Sequence, residues 1–449
     1  EIKLPNRTID ASFIQEIDCQ MRKMIALNLP IVKHYIPRQD AIDLFQKLGR
    51  NGKVNLLSAL SKPLISIYTC AEYSDYLYGP MLYETKELGL FELDCEPDGV
   101  LIRTPDEMTN GRVRERINQP KFGSILTESK AWADILGCRF ISDLNRINKE
   151  NTMGELIRIS EALQEKRIAQ IADHISSHRE HIRLILIAGP SSSGKTSFAQ
   201  RLRIQLRVNG LRPVMISLDD YFLNREDTPL NKKGQYDYES IDALDTKLFN
   251  QDMIGLLSGQ KVQIPRYNFI TGMREWKDDA FLSIQDNQPI IIEGIHGLNE
   301  YLTKDIPRIN KYKIYISALT QLNIDAHNRI PTTEVRFLRR LVRDYQFRGA
   351  KALKSIRQWP DVRAGEEKYI FPFQEDADVL FNSALIYEIG VLKKYAVPLL
   401  EEINCGEEGY TEARLILRFL QYVDEISAID DIPNNSILRE FIGKSVFFS

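Results

Sequence analysis

Cysteine is sparse in this chain and carries no pattern. Its five residues (Cys19, Cys70, Cys95, Cys138, Cys405) are odd in number, scattered, and never spaced as C-x-x-C. That excludes a disulfide framework and a structural zinc site as organising devices, and makes a reducing cytosol the simplest compartment. Long apolar runs are also missing: none approaches the ~18 residues of a membrane span, so no membrane partner is expected. No secretory leader is visible. Neither sign of charge dominates, since 59 Lys and Arg face 62 Asp and Glu for a formal net charge of −3. A nucleic-acid partner is therefore not expected, because nothing in the overall charge attracts one. Residues 1–150 also lack a basic tract interleaved with aromatics. There is no solenoid period and no low-complexity segment. What remains is a chain of 449 residues, long enough for two or three domains with sizeable cores.

One stretch organises the rest. Residues 184–197 read LILIAGPSSSGKTS. An aliphatic run, Leu184 to Ala188, breaks at Gly189 and reaches Gly194-Lys195-Thr196, the G-x-x-x-x-G-K-T spacing of a loop that joins a buried strand to a helix and binds phosphate. Gly189 and Gly194 permit backbone conformations that a side chain would block. The backbone N–H groups of Ser191, Ser192 and Ser193 and their neighbours, with Pro190 lending its fixed turn, can then surround phosphate oxygens at a positive helix N-terminus. Lys195 supplies a point charge for the β- and γ-phosphates, the Thr196 hydroxyl a ligand for Mg²⁺, and Ser197 the next turn of the helix. Phe198, Leu202, Ile204 and Leu206 make the following helix amphipathic. The stretch predicts a nucleoside-triphosphate site.

Upstream, residues 1–150 mix helical and β-like runs and predict an α+β domain. Phe13, Ile14, Ile17, Met21, Met24 and Ile25 suit one helix face, and residues 41–48 a second short helix. Residues 64–68 and 100–103 read as strands, with turns at Gly79-Pro80 and Pro97-Asp98-Gly99. Residues 152–177 are strongly helical and are read, within 151–182, as a connecting helix that packs on the next domain. His174, His178 and His181 at its end are read as a solvated helix terminus rather than a metal site.

Downstream, residues 183–449 predict an α/β domain with a doubly wound parallel sheet. Strands are expected at 184–188, 214–217, 289–294, 312–317 and 379–382. Asp219 follows the second and Glu293 ends the third, so both carboxylates face the crevice of the phosphate loop. Arg336, Arg339, Arg340 and Arg343 share one helix face, followed by Arg348. In a chain with a phosphate loop this predicts a lid helix that clamps ATP and its transition-state charge. A solvated basic face or an RNA contact is the alternative.

Two family resemblances add to this. Asp75-Tyr76-Leu77-Tyr78-Gly79-Pro80-Met81, followed by Gly89-Leu90-Phe91-Glu92-Leu93, resembles part of the second additional domain of threonyl-tRNA synthetase. That family reads D-L-C-R-G-P-H there, and its Cys and His belong to an editing site. Leu77 and Met81 stand at those two positions and cannot serve as nucleophile, base or ligand. The resemblance thus implies a retained fold without hydrolytic chemistry. The second resemblance rests on S-L-D-D-Y-F (217–222), G-Q-Y-D-Y-E-S-I-D-A-L-D (234–245), I-P-R-Y-N-F (264–269), I-I-E-G-I (291–295) and R-R-L-V-R-D (339–344). In that order they resemble uridine kinase over residues 184–403. Phosphoribulokinase and pantothenate kinase belong to the same wider P-loop group. The combined halves resemble fused bacterial proteins of the uridine kinase family, in which a segment like 432–443 recurs.

The resemblance implies a P-loop kinase that moves the γ-phosphate of ATP to a nucleoside 5′-hydroxyl, with a role in pyrimidine salvage. Its cofactors would be ATP and Mg²⁺, with the metal on Thr196, Glu293 and Asp219. Asp219 would be the base; Lys195, Arg343 and Arg348 would neutralise the transferring group, and Arg339 would contact ATP. Tyr238, Tyr267 and Arg274 would contact the acceptor, and Glu239 its ribose hydroxyls. One departure matters: Gly272 stands where the family carries a His that contacts the pyrimidine. Relaxed base preference, or an acceptor other than uridine and cytidine, is expected. Other acceptors with a hydroxyl, and a nucleotide-dependent regulator that binds RNA, are the competing readings. Oligomeric state is left open, a homo-oligomer included.

Overall fold

The computed structural model describes the chain except residues 1–8, 78, 80, 97, 98, 106–108, 232, 233, 287 and 449. The turns expected at Gly79-Pro80 and Pro97-Asp98-Gly99 thus lie partly outside the described residues, as do Tyr78 and Pro80 of the synthetase-like motif. Two compact units emerge, the first made of Glu1–Gln119, Phe140–Ser142 and Asn323–Arg329.

The first unit is α+β. Its elements are α1 (Ala11–Ala26), β1 (Ile31–Pro37), α2 (Arg38–Lys47), α3 (Asn51–Ala59), β2 (Leu64–Cys70), β3 (Tyr73–Asp75), β4 (Glu92–Glu96) and β5 (Gly99–Arg103). Asp10 caps α1 by accepting from the Phe13 amide at 2.9 Å. β1, β2 and β3 form an antiparallel sheet and β4–β5 a separate hairpin. Here β1 was not expected, because its middle four residues are all exposed and its sequence shows no alternation. Polar residues fix the centre of the unit. Lys53, 3% exposed, pairs with Asp75 at 3.1 Å and with Asp325 at 3.0 Å, and Asp75 also accepts from Tyr73. The pull of Lys53 and these hydrogen bonds hold the Asp75 carboxyl below its usual range, against the burial that raises it.

The second unit contains α4 (Pro120–Ile135), α5 (Ile141–Lys149), α6 (Met153–Ser177), β6 (Leu184–Ala188), α7 (Lys195–Val208), β7 (Val214–Ser217), α8 (Thr246–Leu257), β8 (Val262–Gln263), β9 (Arg266–Asn268), β10 (Met273–Glu275) and β11 (Phe281–Leu282). It continues with β12 (Ile290–Glu293), β13 (Lys311–Ser317), α9 (Thr332–Arg348), α10 (Ala352–Tyr369), β14 (Val379–Asn382), α11 (Glu388–Glu401), α12 (Tyr410–Leu420) and α13 (Arg439–Ile442). Five strands pair in the order β14-β13-β6-β12-β7, all parallel. Every residue of β6 and β13 is buried, as a parallel sheet covered on both faces requires. On one face Leu184, Leu186, Ile290 and Ile292 share a core with Phe249, Met253 and Leu256 of α8. Ile125 of α4 joins Tyr315 and Leu380 there. On the other face Phe198 of α7 meets Phe381, ring centroids 4.6 Å apart. This is the expected doubly wound α/β architecture. Strand order reverses around β6, so the crevice at its C-terminal end is where such sheets bind ligands.

Candidate active site

β6 ends at Ala188 and the chain enters the phosphate loop. Gly189 has no alternative there: an added Cβ would lie 2.0 Å from the Ile316 carbonyl oxygen of β13. Gly194, at φ +82°, caps α7 in the left-handed region. The carbonyls between them are tied from outside. Arg336 donates to the Ser191 oxygen at 3.2 Å, Arg339 to the Ser192 oxygen at 3.4 Å, and the Ser383 hydroxyl to the Ser193 oxygen at 2.5 Å. Lys195 donates to the Gly189 and Pro190 carbonyls at 2.9 and 3.1 Å. Two of the loop's amides are already engaged, Ser191 by Glu366 and Ser193 by the Pro190 carbonyl at 3.2 Å; the others can line the inside of the loop as an anion nest. The Ser192 and Ser193 hydroxyls are buried without a hydrogen-bond partner among the described residues.

Three acidic segments converge on this loop. Glu293 ends β12; burial pushes its carboxyl up to about 7, although Thr196, by a hydrogen bond, and Lys195 pull it down. Its Oε2 is buried and has no hydrogen-bond partner among the described residues. Asp219 lies in a single helical turn, Leu218–Tyr221, that begins where β7 stops. The residue is exposed as a whole, yet the protein around its carboxyl raises it, against the pull of Lys195. Glu440, from the C-terminal segment, accepts from the Ser197 amide and hydroxyl at 3.3 and 2.7 Å. Burial in turn lowers the Lys195 ammonium, and Glu293, Glu440 and Asp219 counter it.

The arginines of α9 divide. Arg343 and Arg348 come together on Asp344, at 3.0 and 3.3 Å, with Arg340 on the same carboxylate at 3.3 Å. Arg340 also donates to the Ser191 hydroxyl at 3.0 Å. Arg339 is not brought to the crevice. Its side chain is fully buried, with Glu388 at 2.6 Å and the Ser383 carbonyl at 2.8 Å taking its donors. Helix spacing alone had grouped it with the others, and tertiary partners separate them.

On the acceptor side, Glu239 is pushed up to about 7 by burial and by the neighbouring Glu366, against Lys195 and Arg340. Tyr238 and Tyr267 belong to an aromatic cluster around Phe222, with centroids 5.8 and 5.5 Å from its ring. Arg274 is mostly committed to structure, since it pairs with Asp245 at 3.0 Å and donates to the Phe222 carbonyl at 3.2 Å. Gly272 sits at φ +73°, and a Cβ there would fall 2.6 Å from Nε of Arg225. The Arg225 guanidinium thus fills the space beside this glycine and donates to the Tyr238 hydroxyl and the Phe269 carbonyl, both at 3.4 Å.

Sequence reading missed Arg225, Glu366, Glu388, Ser383 and Glu440. Glu366 is buried, pairs with Arg336 at 2.5 Å, and accepts from the Ser191 amide at 3.0 Å. Its distance along the chain from the loop leaves no spacing signal.

A sequence model of the Phosphoribulokinase / Uridine kinase family matches residues 184–387. The uridine kinase of Mycoplasma genitalium is 29% identical over 198 residues, which cover 44% of this chain and 83% of its own length. That of Chloroflexus aurantiacus is 31% identical over 199 residues, 44% of this chain and 85% of its own. The yeast enzyme from Saccharomyces cerevisiae is 30% identical over 262 residues, 58% of this chain and 46% of its own. Among solved structures, D-glycerate 3-kinase from Cryptococcus neoformans covers 61% of this chain and 88% of its own at 14% identity. Its TM-score of 0.27 is too low to carry weight.

Proposed function

The chain belongs to the phosphoribulokinase/uridine kinase family of ATP-dependent kinases that phosphorylate a hydroxyl acceptor, and we propose that its acceptor is the 5′-hydroxyl of a nucleoside. The observation that carries this reading is the convergence on Lys195. Its ammonium feels Glu293, Asp219 and Glu440, and Glu239 feels it in turn. Phosphate loop, candidate base and acceptor carboxylate therefore share one field.

The residues present fit Mg²⁺. Glu293 offers a buried oxygen without a partner among the described residues, and Thr196 and Asp219 add two more hard oxygen donors. Bound with ATP, the ion would neutralise charge on the β- and γ-phosphates. Within this reading, the loop amides and Lys195 orient the triphosphate. Asp219 takes the proton of the attacking hydroxyl, and Arg343 and Arg348 stand against charge on the transferring group. Glu239 accepts from the ribose hydroxyls, and the rings around Phe222 cover the base.

Arg225 bears on which base is read. A guanidinium only donates, so it favours a base edge with adjacent acceptors, such as N3 and O2 of cytosine or O6 and N7 of guanine. Gly272→His would test this poorly, because positive φ and the Arg225 contact strain any side chain there. Arg225→Ala is the informative change. In an ADP-release assay over a panel of nucleosides and small alcohols, one nucleoside should be preferred. The variant should lower kcat/KM for it by about 5–150-fold, the worth of one bidentate contact, and move the others little. If no nucleoside is turned over, the nucleoside reading fails, and a different small hydroxyl compound takes its place. If RNA stimulates turnover instead, the chain is a regulator.

For the first unit we propose a threonyl-tRNA synthetase editing-like domain without its chemistry, because Leu77 and Met81 offer no reactive group. Protein purified without chelator is expected to carry no stoichiometric zinc in that unit and not to deacylate seryl-tRNA. Deacylation above a buffer blank would sink this reading.

A further inference from the structure

The chain beyond the family match returns to the phosphate loop. Ser436, Ile437, Leu438 and Phe441 are fully buried. Ile437 packs so closely that a Cβ at Gly194 would lie 2.5 Å from its Cγ2. Gly443 and Lys444 both adopt positive φ, 87° and 60°, and reverse the chain. The Val446 amide then ties it down on the Asn434 carbonyl at 2.9 Å. A cavity of about 360 Å³ remains between this segment, Thr196, and the end of α9, within the ~300–1,000 Å³ of small-molecule pockets.

We propose that residues 439–448 and the end of α9 hold the base and ribose of the ATP whose phosphates lie in the loop. Thr196 belongs both to the loop and to the cavity wall, so a triphosphate laid along the loop delivers its nucleoside end here. The acceptor-side residues Glu239, Tyr238 and Asp219 are absent from that wall, which orients the γ-phosphate toward them. Phe347 from α9 and Phe448 from the tail line the cavity and are 57% and 40% exposed. Aromatic rings left open in a pocket suit a purine, since any base can stack on them. Arg439 is 6% exposed; its Nη2 is held by the Ile429 and Ile432 carbonyls, while its Nε has no partner among the described residues. With Lys444, Arg343 and Arg348 it puts four cations on the cavity wall against one carboxylate, Glu440, a balance that suits an anionic ligand. The proposal rests on the ATP-dependent reading above and adds the part of the chain that recognises the nucleoside end.

The test compares ATP with inorganic tripolyphosphate, which has phosphates but no base, by calorimetry on the full chain. Phe448→Ala and Phe347→Ala, on separate elements, guard against a single folding defect; thermal melts check both. The dissociation constant for ATP should rise about 10-fold in each, within the range of one lost base stack, and that for tripolyphosphate should stay unchanged. An unchanged ATP constant in both variants, or an equal loss for both ligands, would overturn the proposal and leave the kinase reading intact. A wild type that binds neither ligand would overturn both.

Discussion

Asp219→Asn should lower kcat by about 10²–10⁴-fold, the usual worth of a positioned base, while ATP still binds. The reason is its location. Asp219 is the second residue past β7, on the helical turn that the Ser217 hydroxyl caps at 3.3 Å. It reaches the loop's crevice without belonging to the loop. Protein crowding raises its carboxyl and Lys195 pulls it back. It is therefore more basic than it would be beside the ammonium in water, which is what a proton acceptor needs. Asparagine keeps the shape and removes the basicity. Lys195→Ala should fail differently: ATP affinity falls along with turnover, because the ammonium neutralises phosphate charge in ground and transition states alike. Single-turnover rates with separately measured ATP binding distinguish the two. Near wild-type kcat in Asp219→Asn would show that another group accepts the proton.

The parts of this site that were legible in sequence are those where spacing is chemistry. The loop from Gly189 to Thr196 had to appear as it does, because glycine positions and the helix start are set by the backbone itself. All five strands of the parallel sheet were also readable, from apolar runs such as Leu184–Ala188 that burial on both faces favours, although β13 carries Lys311 and Lys313 within its buried run. By contrast β1 was invisible: its side chains face solvent, so no burial constrained their order. The supporting groups were equally silent. Glu366 and Ser383 reach the loop through tertiary packing, and Glu388 through Arg339; no local pattern marks a glutamate that will meet an arginine or an amide on another helix. Arg225 beside Gly272 belongs to the same class. There the sequence signalled only that a side chain was missing, not what fills the space.

Arg339 is where helix periodicity and tertiary structure part most sharply, and it carries the second large expectation. Arg339→Ala should destabilise the second unit by about 3–5 kcal/mol, the cost of leaving a buried charge without its partner. Glu388, fully buried, would be that charge; burial already raises its carboxyl and Arg339 is the chief opposing influence. Without the arginine the folded-state value rises further above the unfolded reference of about 4.3. A carboxyl raised in the fold costs stability as pH climbs past the unfolded value. The deficit of the variant should therefore shrink on acidification toward that value. Replacing both partners, Arg339→Met with Glu388→Leu, removes charge and counter-charge together and should recover most of the loss, because buried pairs are often matched by apolar residues. Urea denaturation of wild type, single and double variants across pH measures all of this. ATP titration of the folded double variant then separates bracing from binding. A brace lost from behind the Ser192 carbonyl should leave most of the ATP affinity in place. An Arg339→Ala protein as stable as wild type but unable to bind ATP would mean that the guanidinium leaves Glu388 to meet phosphate.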